Sequence, residues 1–167
     1  MKNLKSKTVL VTGASSGIGE AFSNQLAEKG DNLVIVARSL KDLQTLAESI
    51  KQKYSVQCYP IAMDLAKENA AQELFDKISS LKLGVDVLIN NAGFGAIGNF
   101  EDYEFDKYKS MLQLNINTLT ELCWLYLPSM KKKNSGGIIN VASTASFLPI
   151  PFSAVYAGSK SYVLNFS

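Results

Sequence analysis

A glycine-containing loop follows the first apolar segment of the chain and restricts the folds that the chain can adopt. Residues 7–12 (KTVLVT) are apolar and β-branched, which predicts a strand. The loop runs from Gly13 to Gly19 as Gly-Ala-Ser-Ser-Gly-Ile-Gly, and apolar residues at helical spacing follow as far as residue 29. Such a turn between a strand and a helix lets the backbone approach a pyrophosphate at the helix N-terminus. The spacing also fits a plain tight turn, so the loop alone leaves both interpretations open.

Strand-like and helix-like segments alternate along the rest of the chain. Further strands are predicted over 32–37, 57–63, 85–90 and 137–142, and further helices over 40–52, 67–81, 105–132 and from 153 onward. Pro60 interrupts the third strand, which an edge strand tolerates. Apolar strands separated by helices predict an α/β fold with a parallel sheet covered on both faces. Since no repeat or linker is visible, we expect a single domain over residues 1–167.

The composition excludes several classes of function. The chain has no histidine, which removes Ser-His-Asp triads, Cys-His pairs and most zinc sites, so we expect no metal. The net charge of +2 predicts no attraction to nucleic acid or to a membrane surface. No apolar run could span a bilayer, and residues 1–7 lack the apolar stretch of a signal peptide. Cys58 and Cys123 lie in apolar surroundings, which favours reduced thiols and a cytoplasmic location.

The end of the second predicted strand indicates which dinucleotide the loop would bind. An NAD(H) site would place a carboxylate there to bind the ribose hydroxyls, but this chain has Arg38 instead. A guanidinium is well shaped to bind a 2′-phosphate, so the sequence favours NADP(H) over NAD(H). The alternative is an ordinary surface arginine on a loop.

Polar residues cluster where parallel strands end, which is the sheet edge at which such folds bind ligands. The fourth strand ends in Asn-Asn-Ala-Gly at residues 90–93, and the fifth ends next to Ser143. Tyr156 and Lys160 follow at a spacing of four, so a helix would point both side chains the same way. Taken alone, Ser143 is also typical of a structural serine in a turn, and Lys160 is also typical of a lysine on a solvated helix face.

These motifs, in this order and at these separations, resemble the short-chain dehydrogenase/reductase family over essentially the whole chain. The residues that carry the resemblance are Thr12-Gly13-x-x-x-Gly17-Ile18-Gly19, Asn90-Asn91-Ala92-Gly93, Asn115, Ser143 and Tyr156-x-x-x-Lys160. The resemblance implies a Rossmann-like doubly wound sheet of strand order 3-2-1-4-5. It also implies an oxidoreductase that transfers a hydride between NADP(H) and a carbonyl or alcohol, and a ketone reductase is the expected form.

The resemblance further implies a role for each matching residue. Tyr156 would exchange a proton with the substrate oxygen, Lys160 would hold the nicotinamide ribose and assist Tyr156 by its charge, and Ser143 would bind the substrate carbonyl. Asn115 would hold a water that links Lys160 to solvent. Asp64 would meet the adenine ring, or cap the next helix, or both. The remaining cofactor contacts are expected from Gly13, Ser15, Ser16, Gly17, Ile18, Gly19, Arg38, Asn91, Ala92 and Gly93.

The substrate and the extent of the protein stay open from the sequence. The loop 144–152 is largely apolar and could line a pocket for an apolar ketone or pack beneath another part of the fold. The last helical segment reaches Ser167 without a stop signal, so we expect a longer parent protein. The resemblance implies that this parent is a homo-oligomer. A regulatory protein that binds NADP(H) without turnover, or an inactive fragment of a reductase, is the alternative function.

Overall fold

The computed structural model describes residues 6–167, in which five parallel strands form one sheet between two helical layers. Residues 1–5, on which the expectation about a signal peptide largely rests, lie outside the described residues. The strands are β1 (Thr8–Thr12), β2 (Asn32–Ala37), β3 (Cys58–Ala62), β4 (Val87–Asn90) and β5 (Gly137–Asn140). The helices are α1 (Gly17–Glu28), α2 (Leu40–Tyr54), α3 (Ala70–Ser80), α4 (Phe105–Leu112), α5 (Leu119–Lys133) and α6 (Ala154–Phe166). The sheet order is β3-β2-β1-β4-β5, which confirms the predicted fold class and strand order.

Alternation along the buried strands divides the apolar core into two layers. On β1, Val9 and Val11 pack toward α1 and α2, whereas Leu10 packs toward α3 and α5, and all three are fully buried. Burial on both faces explains why the strands read as continuous apolar runs in the sequence. As predicted, Pro60 lies in an edge strand, β3, opposite Ile35 of β2.

The long helix predicted over 105–132 is interrupted by a turn of π-helix. The helix α4 ends at Leu112, the π-helical segment spans Gln113–Thr118, and α5 begins at Leu119. The helix α5 buries Leu122 and Tyr126 against the sheet, while Trp124 on its other side is 70% exposed. Among residues 6–167, none of the helices has the length and hydrophobicity that crossing a bilayer would require.

The bounds of α3 and β5 also differ from the predicted ones. The helix α3 begins at Ala70 rather than at residue 67, because Asn69 has a left-handed backbone conformation (φ +61°) that a helix cannot continue through. Upstream, Asp64 Oδ1 accepts a hydrogen bond from Ala66 N (3.1 Å) and holds residues 64–66 in a turn. The strand β5 ends at Asn140 rather than at 142. Its last bond to β4 is from Val141 N to Asn90 O, and the Val141 carbonyl is then bonded by Lys160 instead of a neighbouring strand.

Candidate active site

A cleft of about 700 Å³ opens at the carboxyl ends of the strands. Loops that follow all five strands contribute to its walls, together with two side chains of α6. The residues predicted from the sequence that line it are Gly13, Ser15, Ser16, Ile18, Arg38, Asp64, Asn91, Ala92, Gly93, Tyr156 and Lys160. Four other predicted residues, Gly17, Gly19, Asn115 and Ser143, do not line this cleft. The structure therefore gathers most of the predicted site at one edge of the sheet.

The glycine loop needs glycine for two different reasons. Gly17 has φ +57°, a conformation that L side chains rarely adopt, and a Cβ there would meet no atom within 4 Å. Gly19 is instead closely packed, since a Cβ would collide with the carbonyl of Gly13 and with Asn91 Nδ2. Ser16, the N-cap residue of α1, makes no side-chain capping bond with any described residue. The first turn of α1 thus faces open space with amide groups that can bind an anion.

Asn91 joins the loop after β4 to the glycine loop. Its Nδ2 donates to the backbone oxygens of Thr12 (3.0 Å) and Gly13 (3.1 Å). Thr12 Oγ1 in turn accepts from Asn91 N and Ala92 N, both at 3.0 Å. Because both amide protons of Asn91 bond protein oxygens, its side chain shapes the cleft wall and has no donor left for a ligand.

The loops after β2 and β3 form the far end of the cleft. Arg38 is exposed and takes part in neither ion pair found among the described residues. Ser39 begins α2 and accepts a hydrogen bond from Asp42 N (3.3 Å), and both of these residues also line the cleft. Ser39 and Asp42 were not among the predicted site residues, although a serine followed three residues later by an acidic residue is a recognisable helix start. Asp64 is half-buried and faces the same end, its carboxylate engaged in the turn with Ala66.

Tyr156 and Lys160 project from α6 into the cleft, as their spacing predicts. Lys160 is only 5% exposed, and its Nζ donates to the Val141 carbonyl at 2.7 Å. Burial lowers the pKa of the Lys160 ammonium from its ordinary value. The loop after β4 packs directly on both side chains: a Cβ on Gly93 would lie 3.4 Å from Lys160 Nζ, and one on Gly95 would lie 3.0 Å from the Tyr156 ring. Gly95 was not among the predicted site residues.

Asn115 lies in the π-helical segment and is fully buried. Its Oδ1 accepts from Phe94 N at 3.2 Å, and its Nδ2 donates to Phe94 O and to Ser159 Oγ, both at 3.0 Å. Ser159 Oγ donates onward to the backbone oxygen of Tyr156 at 2.7 Å. The side chain therefore supports the loop after β4 and α6, and a water could bind it only at the second acceptor position of Oδ1.

Ser143 lies three residues beyond the end of β5 and is half-buried. Its Oγ accepts a hydrogen bond from Ala145 N at 3.1 Å and caps a 3₁₀ turn over Thr144–Ser146. This leaves its hydroxyl proton available to a ligand oxygen. Within residues 6–167, acidic, cysteine and histidine side chains do not gather in threes at any point that could hold a metal ion.

Known proteins resemble this chain in both sequence and structure. A very-long-chain 3-oxoacyl-CoA reductase of Homo sapiens is 30% identical over 169 residues, which cover 95% of this chain and 51% of that protein. An uncharacterized oxidoreductase of Staphylococcus saprophyticus is 40% identical over 161 residues, or 96% of this chain and 64% of that protein. The solved structure of a short-chain dehydrogenase from Sphingobium yanoikuyae in complex with NADPH superposes with a TM-score of 0.90 at 30% identity, covering 96% of this chain and 62% of that one.

The chain spans only about half the length of the first of these relatives. The family model for short chain dehydrogenases matches residues 7–167, from the start of the first strand through α6. The chain belongs to the short chain dehydrogenase family.

Proposed function

We propose that this protein is an oxidoreductase that transfers a hydride between NADP(H) and a carbonyl or alcohol substrate, with reduction of a ketone as its main reaction. The observation that carries the proposal is that Tyr156 and Lys160 line the same cleft as the glycine loop and Arg38. A proton donor, a cation and a nucleotide-binding turn thus share one cavity, which is what coupled hydride and proton transfer requires.

The residues of the cleft fit a dinucleotide. The first turn of α1 offers backbone amides beside the open space at Gly17, which suits a pyrophosphate. Asp64 and the half-buried Met63 lie at the end of the cleft where an adenine would be held. Lys160 lies at the other end, close enough to Gly93 for a ribose to bridge the loop and α6. When bound, NADPH would supply the hydride.

The side chains of this chain would manage the proton and the substrate oxygen. The Tyr156 hydroxyl would donate its proton to the oxygen of the reduced carbonyl, and the Lys160 ammonium would stabilise the negative charge left on Tyr156. The free hydroxyl proton of Ser143 would bond the same substrate oxygen and polarise the carbonyl. Burial of Lys160 strengthens its electrostatic effect on Tyr156, because less water screens the charge.

We propose NADP(H) rather than NAD(H) as the dinucleotide. Arg38 is the sole arginine of the chain, and it follows β2 at the position where an acidic residue would bind unphosphorylated ribose. The NADPH complex of the Sphingobium yanoikuyae relative supports this choice. We further propose that the protein acts inside the cytoplasm, without nucleic acid or membrane partners, as expected from its composition. As the family resemblance implies, we propose that it acts on small molecules as a homo-oligomer.

Fluorescence titration with NADPH and with NADH tests the dinucleotide choice. We expect tighter binding of NADPH, and we expect Arg38→Ala to weaken NADPH binding by about 10–100-fold, since a charge-assisted bond contributes about 1.5–3 kcal/mol. Lys41→Ala, which removes an exposed cation one turn further along, is the matched control. Equal weakening of NADH and NADPH by Arg38→Ala would contradict the phosphate-binding role.

Turnover of NADPH with a panel of ketones and 3-oxoacyl thioesters tests the reaction itself. Tyr156→Phe should keep NADPH binding and lose about 100-fold or more of the turnover, because it removes only the proton donor. Tyr162→Phe is the control, since Tyr162 lies on the same helix and its hydroxyl bonds Thr120 instead (2.9 Å). NADPH binding without turnover in the longer parent protein would instead select the regulatory alternative.

A further inference from the structure

The hydroxyl of Ser146 connects two residues of the candidate active site. Ser146 Oγ accepts a hydrogen bond from Ser143 N at 3.2 Å and donates one to the backbone oxygen of Lys160 at 2.8 Å. Ser146 is only 8% exposed and does not line the cleft. One buried oxygen atom therefore joins the backbone that carries the proposed carbonyl-binding serine to the helix that carries the proposed proton donor.

A short side-chain hydroxyl is well suited to make both bonds at once. It must present a donor to one backbone group and an acceptor to another, from a side chain short enough to fit between a 3₁₀ turn and a helix. Alanine would make neither bond and would leave Ser143 N without its partner. A second contact between the same two elements, from Ser161 Oγ to Ser146 O (2.9 Å), holds the turn to α6 without involving Ser143.

We propose that Ser146 is a positioning residue that fixes the separation of Ser143 from Tyr156 and Lys160. This proposal rests on the proposed function, because the bridge has a catalytic consequence only if Ser143, Tyr156 and Lys160 act in catalysis. Ser143 follows a strand that ends at Asn140, so no sheet pairing holds it in place. The bridge through Ser146 Oγ ties it to α6, in addition to the backbone hydrogen bond from Ser146 N to Ser143 O (3.0 Å) within the turn. A displacement of about 1 Å between catalytic groups lowers rates by about 100-fold, so such a constraint matters even when the fold is intact.

The position of Ser143 bears on the chemical step more than on dinucleotide binding. Lys160 Nζ is held separately by the Val141 carbonyl, and the glycine loop follows β1, which β4 separates from β5 in the sheet. Loss of the bridge should therefore lower kcat and leave the affinity for NADPH nearly unchanged. If Ser146 had only a structural role, its loss would instead lower stability and would affect kcat and NADPH affinity together.

The test compares Ser146→Ala with Ser161→Ala and Ser146→Thr in the full-length protein. We expect Ser146→Ala to lower kcat by about 10–100-fold with NADPH affinity within about twofold of the unaltered protein. Ser161→Ala, which removes only the second contact, should change kcat by less than about threefold. Ser146→Thr keeps the hydroxyl and should recover kcat to within about threefold of the unaltered value. A kcat for Ser146→Ala within threefold of the unaltered protein, or a parallel loss of NADPH affinity, overturns the proposal.

Amide hydrogen exchange gives a readout that does not depend on turnover. In Ser146→Ala the Ser143 amide should exchange about 10-fold faster or more, while the amide of Leu10 in the central strand keeps its rate. An unchanged rate at Ser143 overturns the bridge. If the unaltered protein binds NADPH but reduces no carbonyl, the proposed function fails while the exchange measurement still decides whether Ser146 holds Ser143. Ser146→Cys, which keeps the side-chain size and weakens both bonds, replaces the alanine variant if that variant does not fold.

Discussion

Asn115 bonds both backbone groups of Phe94 through its side-chain amide, with Oδ1 3.2 Å from Phe94 N and Nδ2 3.0 Å from Phe94 O. The side-chain amide thus makes the pair of hydrogen bonds to the Phe94 backbone that a neighbouring strand would make. Phe94 lies beyond the end of β4 at Asn90. The same Nδ2 reaches Ser159 on α6. The buried Asn115 side chain therefore holds in place the loop that packs on Tyr156 and Lys160.

The first prediction concerns the stability that this side chain provides. Asn115→Ala should lower the free energy of unfolding by about 2–4 kcal/mol, because it leaves the part-buried N–H and C=O of Phe94 without partners and removes one of the two hydrogen bonds of Ser159 Oγ. Asn117→Ala is the matched control two residues further along the same π-helical segment. Asn117 is exposed and bonds only Gln113, so its loss should cost less than about 0.5 kcal/mol. Urea unfolding measures both, and equal costs would show that the Phe94 contacts contribute little.

The second prediction compares two glycines that lie in helices. Gly19→Ala should destabilise the fold by about 1–3 kcal/mol, because the new methyl group meets the Gly13 carbonyl and Asn91, which cannot easily move. Gly158→Ala on α6 should instead raise stability by about 0.5–1 kcal/mol, since no atom lies within 4 Å of the new Cβ. Thermal and urea unfolding give both values. Destabilisation of similar size at both positions would contradict the packing of the glycine loop described above.

The third prediction concerns the pH dependence of stability. Burial lowers the pKa of Lys160 from 10.5 in the folded chain, so the unfolded chain binds more protons between that lowered pKa and 10.5. The free energy of unfolding therefore gains a contribution that rises with pH in this window. Lys160→Met removes that gain, so the stability of the unaltered protein relative to the variant should increase as the pH approaches 10.5.

Urea unfolding of both proteins from about pH 7 upward measures this difference. Lys132→Met, which removes one exposed charge near the end of α5, is the control for loss of a cation. The free energies of unfolding of the unaltered protein and of Lys160→Met could instead differ by a constant amount across the pH range. That result would show that burial does not affect the charge of Lys160.

The parallel strands and the outline of the cleft were predictable from patterns within single segments, whereas the strand order was predictable only from the family resemblance. Apolar runs on both faces identify buried parallel strands, and Pro60 identifies an edge. The spacing of Tyr156 and Lys160 places both on one face of a helix wherever that helix packs. The end of β2 brings Arg38 to the cleft for the same reason, since parallel strands all end at the same edge.

The supporting contacts could not be predicted, because each joins elements that are distant in the sequence. Asn115 and Ser159 are 44 residues apart, and Asn91 and Thr12 are 79 apart, so no local period relates them. The π-helical segment Gln113–Thr118 was also missed, since one extra residue in a turn barely disturbs the apolar repeat of a long helix. The early end of β5 lies at Asn140, opposite Asn90, the last residue of its partner strand β4, and only the packed structure reveals this pairing.

The exposed side chain of Trp124 determines what the tryptophan fluorescence of this protein reports. It is the single tryptophan of the chain, and 70% of it is exposed in the folded state. Its emission should therefore already resemble that of indole in water, and unfolding should shift its wavelength little. A shift of that emission to shorter wavelength would instead report that something apolar has covered the outer side of α5, which makes this ring a built-in probe of association rather than of unfolding.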